Sequence, residues 1–230
     1  MKGIPHARHP HPSETMTGAD RPRSTRKDSV RNRARLVEAA RDVFARRGLD
    51  ATLDDIARAA GLGTGTAYRH FPNKQAIAAE VLADATEEIA VDAREALDIE
   101  DPWQALVTFF ERNAARQARD RGLYEILTGQ GDDEQQERIW PGIIAAVTQL
   151  LVRARQAGAV REDAEPQDVA VIFALLGPVI EMSRTTTPDL WKRYLALILD
   201  GLRATTRPAL PTPAPPLQTL PVILKAGKSR

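Results

Sequence analysis

Sixteen prolines punctuate this 230-residue chain, and their placement constrains the fold more than any other feature. Four precede Arg23 and six follow Arg207, whereas none occurs between Arg23 and Phe71. Proline fixes φ, lacks an amide proton and breaks a helix interior, so both ends read as tails, and the stretch from about Asp28 to Phe71 is free to be helical without a break. Within the body, Pro102, Pro166 and Pro188 directly follow Asp101, Glu165 and Thr187, where helices start.

Between the tails every periodic signal has helical spacing and no convincing strand intervenes, so the expected class is all-α. Leu36, Val37, Ala40, Val43 and Phe44 recur at steps of three and four, and Gly48 is placed to end that helix. Thr52 stands at an N-cap with Asp55 in a capping-box-like position, and Leu53, Ile56, Ala57 and Ala60 form the stripe of a two-turn helix. Gly61 supplies a left-handed stop and Leu62 an apolar plug, after which a short helix runs from about Thr64 to His70 before Pro72 discourages continuation. Asn73 then caps a longer helix with Ile77, Ala78, Val81, Leu82, Ala85 and Ile89 facing inward.

The second half is helical by the same signs. Asp101-Pro102-Trp103-Gln104 reads as cap, first-turn proline and capping-box partner, opening a helix with Trp103, Leu106, Val107, Phe110 and Ala114 on one face. From about Ile139 a stripe of Ile143, Val147, Leu150, Leu151 and Ala154 runs to Gly158, and the last helix is lined by Leu190, Tyr194, Leu197, Ile198 and Gly201. The helix from Pro166 carries VAVIFALLGPVI, twelve residues without a charge. That run is too short for a membrane span and apolar all round, so it needs cover on both sides, with Gly177-Pro178 predicting a kink or a close helix approach.

A net charge of +1 hides an asymmetry. Residues 1–35 carry nine Lys/Arg against three acidic residues, a net +6, leaving −5 for the remainder. A basic arm on a mildly acidic body steers one end toward phosphates. Cysteine is absent, which excludes disulfides, thiolate metal sites and cysteine nucleophiles. The opening MKGIPHARHPHPSETMTG has no apolar h-region, so a cytoplasmic protein with no membrane partner is expected. His6, His9 and His11 lie in this leader with nothing to order them, and neither a metal site nor a cofactor is expected.

The stretch GLGTGTAYRHFPNK poses a choice between a phosphate-cradling loop and the turn and second helix of a DNA reader. A dinucleotide fingerprint needs a strand before its glycines, and here an amphipathic helix precedes them. A nucleotide-hydrolase loop needs Gly-Lys-Ser/Thr, and the sequence has GTGTAY. Helix, tight glycine turn, helix remains, the geometry that lays its second helix in a DNA major groove.

From about Arg31 to Ala90 the chain resembles the TetR family of bacterial transcriptional regulators, on RARLVEAARDVFARRGLDA followed by TLDDIARAAGLGTGTAYRHFPNKQAIAAEVL. One departure is Gly63, where a serine or similar cap often opens the recognition helix. Composition gives a disordered basic leader over 1–27 and a Pro-rich disordered tail over 206–230, and the resemblance implies between them a helix-turn-helix domain over 28–75 with a connecting helix to about 95 and a helical ligand-binding and dimerisation domain over 76–205. It also implies that Tyr68 and His70 contact backbone phosphates, with bracing of the helix an alternative for His70. Thr64 and Thr66 offer hydroxyls and methyls to phosphates or base edges, and Gly65 lets the helix approach the duplex. Arg69 reaches a phosphate or a guanine edge, Lys74 holds phosphate at the start of the fourth helix, and Thr52 presents its amide or hydroxyl to DNA. Arg31, with Arg26, Lys27 and Arg33, forms the arm for phosphates or a minor groove, while Ala67 and Phe71 are core.

The same resemblance implies a homodimer paired through its last two helices, a palindromic operator and a small-molecule effector that releases DNA. Trp103, Phe109, Phe110, Tyr124, Trp140, Phe173 and Met182 are the large side chains available to wall an effector cavity, with Arg112, Arg116 and Glu181 as polar handles. No nucleophile–base pair stands out for an enzyme. The alternative function is a helical ligand-binding protein without specific DNA recognition.

Overall fold

The computed structural model describes residues 21–125, 133–204, 208–220 and 222–223, and for 21–25, 123–124 and 133–140 the backbone alone. The described residues form nine α-helices: α1 Arg21–Arg47, α2 Leu53–Ala59, α3 Thr64–His70, α4 Lys74–Leu97, α5 Pro102–Arg119, α6 Arg121–Glu125, α7 Asp133–Gln156, α8 Pro166–Ser183 and α9 Leu190–Leu202. Outside the helices an isolated antiparallel bridge joins Val160 to Arg203. The all-α class therefore holds, with an N-terminal helix-turn-helix domain and a C-terminal helical domain.

Two apolar cores divide the chain. Leu36, Phe44, Leu53, Ile56, Ala67 and Phe71 close the first, between α1, α2, α3 and the start of α4. Leu106, Phe109, Phe110, Val147, Leu151 and Leu176 are among the residues of the second, between α4, α5, α7, α8 and α9. Helix α4 serves both, giving Ile77, Ala78 and Val81 to one and Leu82, Ile89, Ala93 and Ala96 to the other. At about 1.5 Å per residue its 24 residues make a rod of roughly 36 Å spanning the two cores. Arg33–Glu80 (2.5 Å) and Arg41–Asp84 tie α1 to this rod, and the Arg33 guanidinium lies 4.6 Å from the Phe71 ring centroid.

Several boundaries differ from expectation, each for a local reason. Helix α1 starts at Arg21, inside the segment expected to be a disordered leader over 1–27, because Pro22 falls in the tolerant first turn and no proline follows until Pro72. The leader histidines lie outside the described residues. Helix α7 begins at Asp133 and carries Pro141 in its interior. Asp101 caps α5 by accepting from the Gln104 amide (2.9 Å), but the Gln104 side chain turns to Thr108 Oγ1 (3.3 Å) instead of completing a box. Helix α8 runs unbroken through Gly177-Pro178. Beside it Gln117 of α5, almost fully buried, donates to the Phe173 carbonyl (3.0 Å), next to Ala174, whose helical partner Pro178 removes. With 18 residues α8 is long and apolar enough to cross a membrane by length and composition alone, but its inner face is part of the second core, as in the core helix of a folded domain.

The tail over 206–230 also needs correction. Pro208–Leu220 lies along the body as a strap: Arg161 Nη2 donates to Pro208 O (3.3 Å), Leu210 N to Asp163 Oδ2 (2.7 Å) and Gln167 Nε2 to Pro215 O (3.1 Å), and Leu220 is fully buried in the second core. The strap is irregular from Pro208 to Pro216 and ends in a 3-10 turn at Leu217–Thr219, so a proline-rich segment docks when a leucine among its prolines finds an apolar slot. The Asp163 carboxyl is lowered to about 2 by its hydrogen bonds to the Arg161 side chain and the Leu210 amide.

Helix α9 keeps only part of its predicted stripe, with Ile198 packed against the second core. Trp191, Leu195 and Leu199 face the core, whereas Tyr194 and Leu197 are 43% and 58% exposed. On α8, Leu175 and Met182 are likewise open at 59% and 72%. The two helices together leave an apolar face uncovered.

Candidate nucleic-acid interface

The α2–α3 turn is built by short-range chemistry. Thr52 and Asp55 form a reciprocal capping box: Thr52 Oγ1 accepts from Asp55 N (3.1 Å), while Asp55 Oδ2 accepts from Thr52 N (3.0 Å) and the Thr52 hydroxyl (2.7 Å). Those bonds from Thr52, followed by Arg47, hold the Asp55 carboxyl far below the usual carboxylate range. Helix α2 ends in a Schellman motif, with Leu62 N bonded to Ala57 O (2.9 Å) and Gly61 N to Arg58 O (3.1 Å), and Gly61 at φ +64 in the left-handed region glycine favours. Arg35 of α1 braces the turn by donating to Ala60 O (2.6 Å). Gly63 caps α3 through its backbone alone, its carbonyl accepting from Thr66 N (2.9 Å).

Helix α3 is thereby pinned with only Ala67 fully inward. Thr64, Gly65, Tyr68 and Arg69 are exposed, and Thr66 and His70 are half-buried. Tyr68 keeps 52% of its surface in water, high for an aromatic residue beside an apolar core that takes Phe71 instead. Arg69 lies back along its own helix, donating Nε to Gly65 O (3.1 Å) and Nη2 to Thr66 Oγ1 (3.1 Å), so its guanidinium is held against the outward face. An added Cβ at Gly65 or Gly63 would meet nothing within 4 Å, so the free chain itself has no steric need for glycine at either position.

Four residues expected to meet DNA have partners within the chain. Both donors of Thr52 are engaged by Asp55, so Thr52 serves the cap and has no donor left for a phosphate. Arg31 is exposed and paired with Asp28 (3.0 Å) on the outer part of α1, and Arg33 is tied to Glu80. Lys74 Nζ donates to the carbonyl of Leu49 and is half-buried there. The amide of that same residue donates to Glu125 Oε2 (2.6 Å), a carboxylate from α6 that also accepts from Arg121 (2.8 Å) and is 6% exposed. Leu49 packs against both cores. One residue thus ties the end of α1 and the start of α4 to the second domain. Glu125 and Leu49 are 76 residues apart, a separation with no local sequence signal.

One family model, described as bacterial regulatory proteins of the tetR family, matches residues 36–81, and another, described as the C-terminal domain of SbtR-like transcriptional regulators, matches residues 101–204. The chain is 37% identical over 113 residues to TtgW of Pseudomonas putida, described as an uncharacterized HTH-type transcriptional regulator, covering 49% of this chain and 84% of that one. A solved TetR transcription regulatory protein from Mycobacterium vanbaalenii shares 40% identity at TM-score 0.52, covering 78% of this chain and 99% of that one. The chain belongs to the TetR family. As a TetR-family member it is a DNA-binding transcriptional regulator, with α2 and α3 as its helix-turn-helix. A further relative, the HTH-type transcriptional repressor KstR2 of Rhodococcus jostii, is 26% identical over 199 residues, spanning 74% of this chain and 90% of that protein.

The residues expected to wall an effector cavity are scattered. Phe110 is fully buried, its ring 5.3 Å from that of half-buried Phe173 and 6.0 Å from that of Phe109, so these three aromatics fill space rather than line it. Glu181 is exposed and paired with Arg184, and Met182 projects outward on α8. The side chains of Tyr124 and Trp140 lie outside the described residues. Arg116 is bound to Asp92 (2.7 Å) and Glu88 (3.3 Å) between α4 and α5. Trp103 and Arg112 do line a cavity, an open groove between α5 and α9 whose other wall includes Trp191, Leu195 and Leu199. That wall is legible as a four-residue repeat at 191, 195 and 199, but α9 is apolar on two sides, and periodicity does not say which of them turns inward.

Proposed function

We propose that the protein acts as a homodimeric repressor in the cytoplasm, binds a palindromic operator and leaves it when a small molecule occupies its second domain. The observation that carries the reading is the outward presentation of Thr64, Gly65, Tyr68 and Arg69 on a short helix anchored by Ala67 and the glycine turn. A seven-residue helix reaches few base pairs, so two copies related by a two-fold axis, about 34–36 Å apart, are needed for a specific site. The uncovered face of Leu175 and Met182 on α8 with Tyr194 and Leu197 on α9 supports a pairing of these helices with a second copy. Thr64, Thr66, Tyr68, Arg69 and His70 contact the duplex, while Lys74 and Glu125 hold the Leu49 junction through which a shift of α6 moves α1 and α4 together.

Selection of bound fragments from random-sequence DNA, followed by affinity measurements over several salt concentrations, tests the reading. An inverted repeat bound by two chains, with affinity falling steeply in salt, is expected. Equal affinity for selected and random fragments would make the chain a ligand-binding protein without operator recognition.

A further inference from the structure

The groove between α5 and α9 encloses about 610 Å³ and is apolar along its floor, with Trp191 and Leu195 facing Val107 and Ala115, and Trp103 beside them. Both indoles already carry a cation of this protein. The Arg203 guanidinium stands 4.2 Å from the Trp103 ring centroid, and the Lys192 ammonium 5.7 Å from that of Trp191. An indole face attracts cations through its quadrupole, more strongly as water is excluded.

The charges around the groove are unequally engaged. Lys192 is paired with Asp189 (2.9 Å), and Arg112 with Glu95 (2.7 Å) and Asp92 (3.6 Å). Glu111 on the α5 wall and Asp200 on the α9 wall are exposed, and neither side chain has an ion-pair partner among the described residues. Arg203 has no carboxylate partner there either; it rests on Trp103, and its exposure gives it a route back to solvent. The groove therefore has two carboxylates left to balance an incoming charge, a resident cation that is replaceable, and an apolar floor for an uncharged body.

We propose that this groove binds lipophilic organic cations, with the apolar body against Trp103, Val107 and Ala115, the charge balanced by Glu111 and Asp200, and Arg203 displaced from the Trp103 ring. The inference names a ligand class that the proposed function leaves open, and it depends on that function only for the release of DNA.

Tetraphenylphosphonium and tetraphenylborate have the same shape and opposite charge, which makes them suitable probes for calorimetry on the full chain. The phosphonium should bind and the borate should not. Glu111→Gln with Asp200→Asn, two exposed changes that leave the core untouched, should weaken phosphonium binding roughly tenfold with an unchanged melting temperature. Arg203→Ala should strengthen it, since a competing cation is gone. Borate binding as tight as phosphonium binding, indifference to the carboxamide pair, or weaker binding by Arg203→Ala would each overturn the proposal. Operator binding is scored apart: a chain that binds phosphonium yet never binds an operator refutes the proposed function and leaves the groove assignment standing.

Discussion

Replacing Gly48 by alanine should destabilise the protein by about 2–5 kcal/mol, through two separable effects. Gly48 sits at φ +65 where α1 ends, and holding an L-residue in that left-handed region costs about 1–2 kcal/mol. An alanine Cβ would also fall 2.3 and 2.4 Å from the two carboxylate oxygens of Glu125. The carboxylate has to withdraw, giving up its bonds to the Leu49 amide and Arg121, and buried groups left short of partners cost roughly 1–3 kcal/mol. Glu125→Ala by itself forfeits the same bonds, so the double variant carries the glycine term and one copy of the second. Urea unfolding at fixed protomer concentration should show the double variant no less stable than Gly48→Ala, a coupling of roughly 1–3 kcal/mol. Strict additivity, or Gly48→Ala within about 0.5 kcal/mol of the parent, would refute the packing of α6 on the end of α1.

Other substitutions separate folding from function. Gly65→Ala should raise stability by about 0.5–1 kcal/mol and lower operator affinity, because the free helix has room for the methyl and a closely approaching duplex has not; unchanged affinity in a mobility-shift titration would place Gly65 away from DNA. Leu197→Glu should leave a folded monomer in sedimentation velocity, as a charge placed on an uncovered apolar face blocks pairing without entering the core. Leu220→Ala should cost roughly 2–5 kcal/mol in urea unfolding if the strap is docked as described, and nearly nothing if it is a free tail. The Asp163 carboxyl, lowered to about 2 in the folded chain, stabilises the fold above its unfolded value near 4 and loses that contribution as pH falls through about 2. The difference in melting temperature between the parent and Asp163→Asn should accordingly shrink as pH drops from about 4 to about 2.

Much of the reader is legible in the sequence because its determinants lie within a few residues of one another. The Thr52–Asp55 box, the Gly61 stop and the Asn73 cap are each closed by partners within a few positions, and the bonds found are those that capping and glycine chemistry predict. The stripes of α1, α2, α4 and α7 also agree with the burial found, since each of those helices has one apolar side and burial then has a single solution. Capping logic does not reveal that Thr52 has no donor left for DNA, because a cap and a phosphate contact require the same atoms.

By itself, the order of residues determined the helices, the turn between α2 and α3, the inward Ala67 and the exposed position of Thr64 at the start of α3, all consequences of periodicity, capping and glycine conformation acting over one or two turns. Only the tertiary structure decided the rest. Glu125 reaches Leu49 across 76 positions and Lys74 reaches it across 25, so the junction between the domains exists only once α6 and α4 have packed. Leu220 finds the core through a segment with almost no regular structure, and α9, apolar on two sides, turns Trp191 rather than Tyr194 inward. A helix with two apolar faces, or a leucine in a proline-rich strap, is buried by whatever surface lies opposite it, and that surface is supplied by distant parts of the chain.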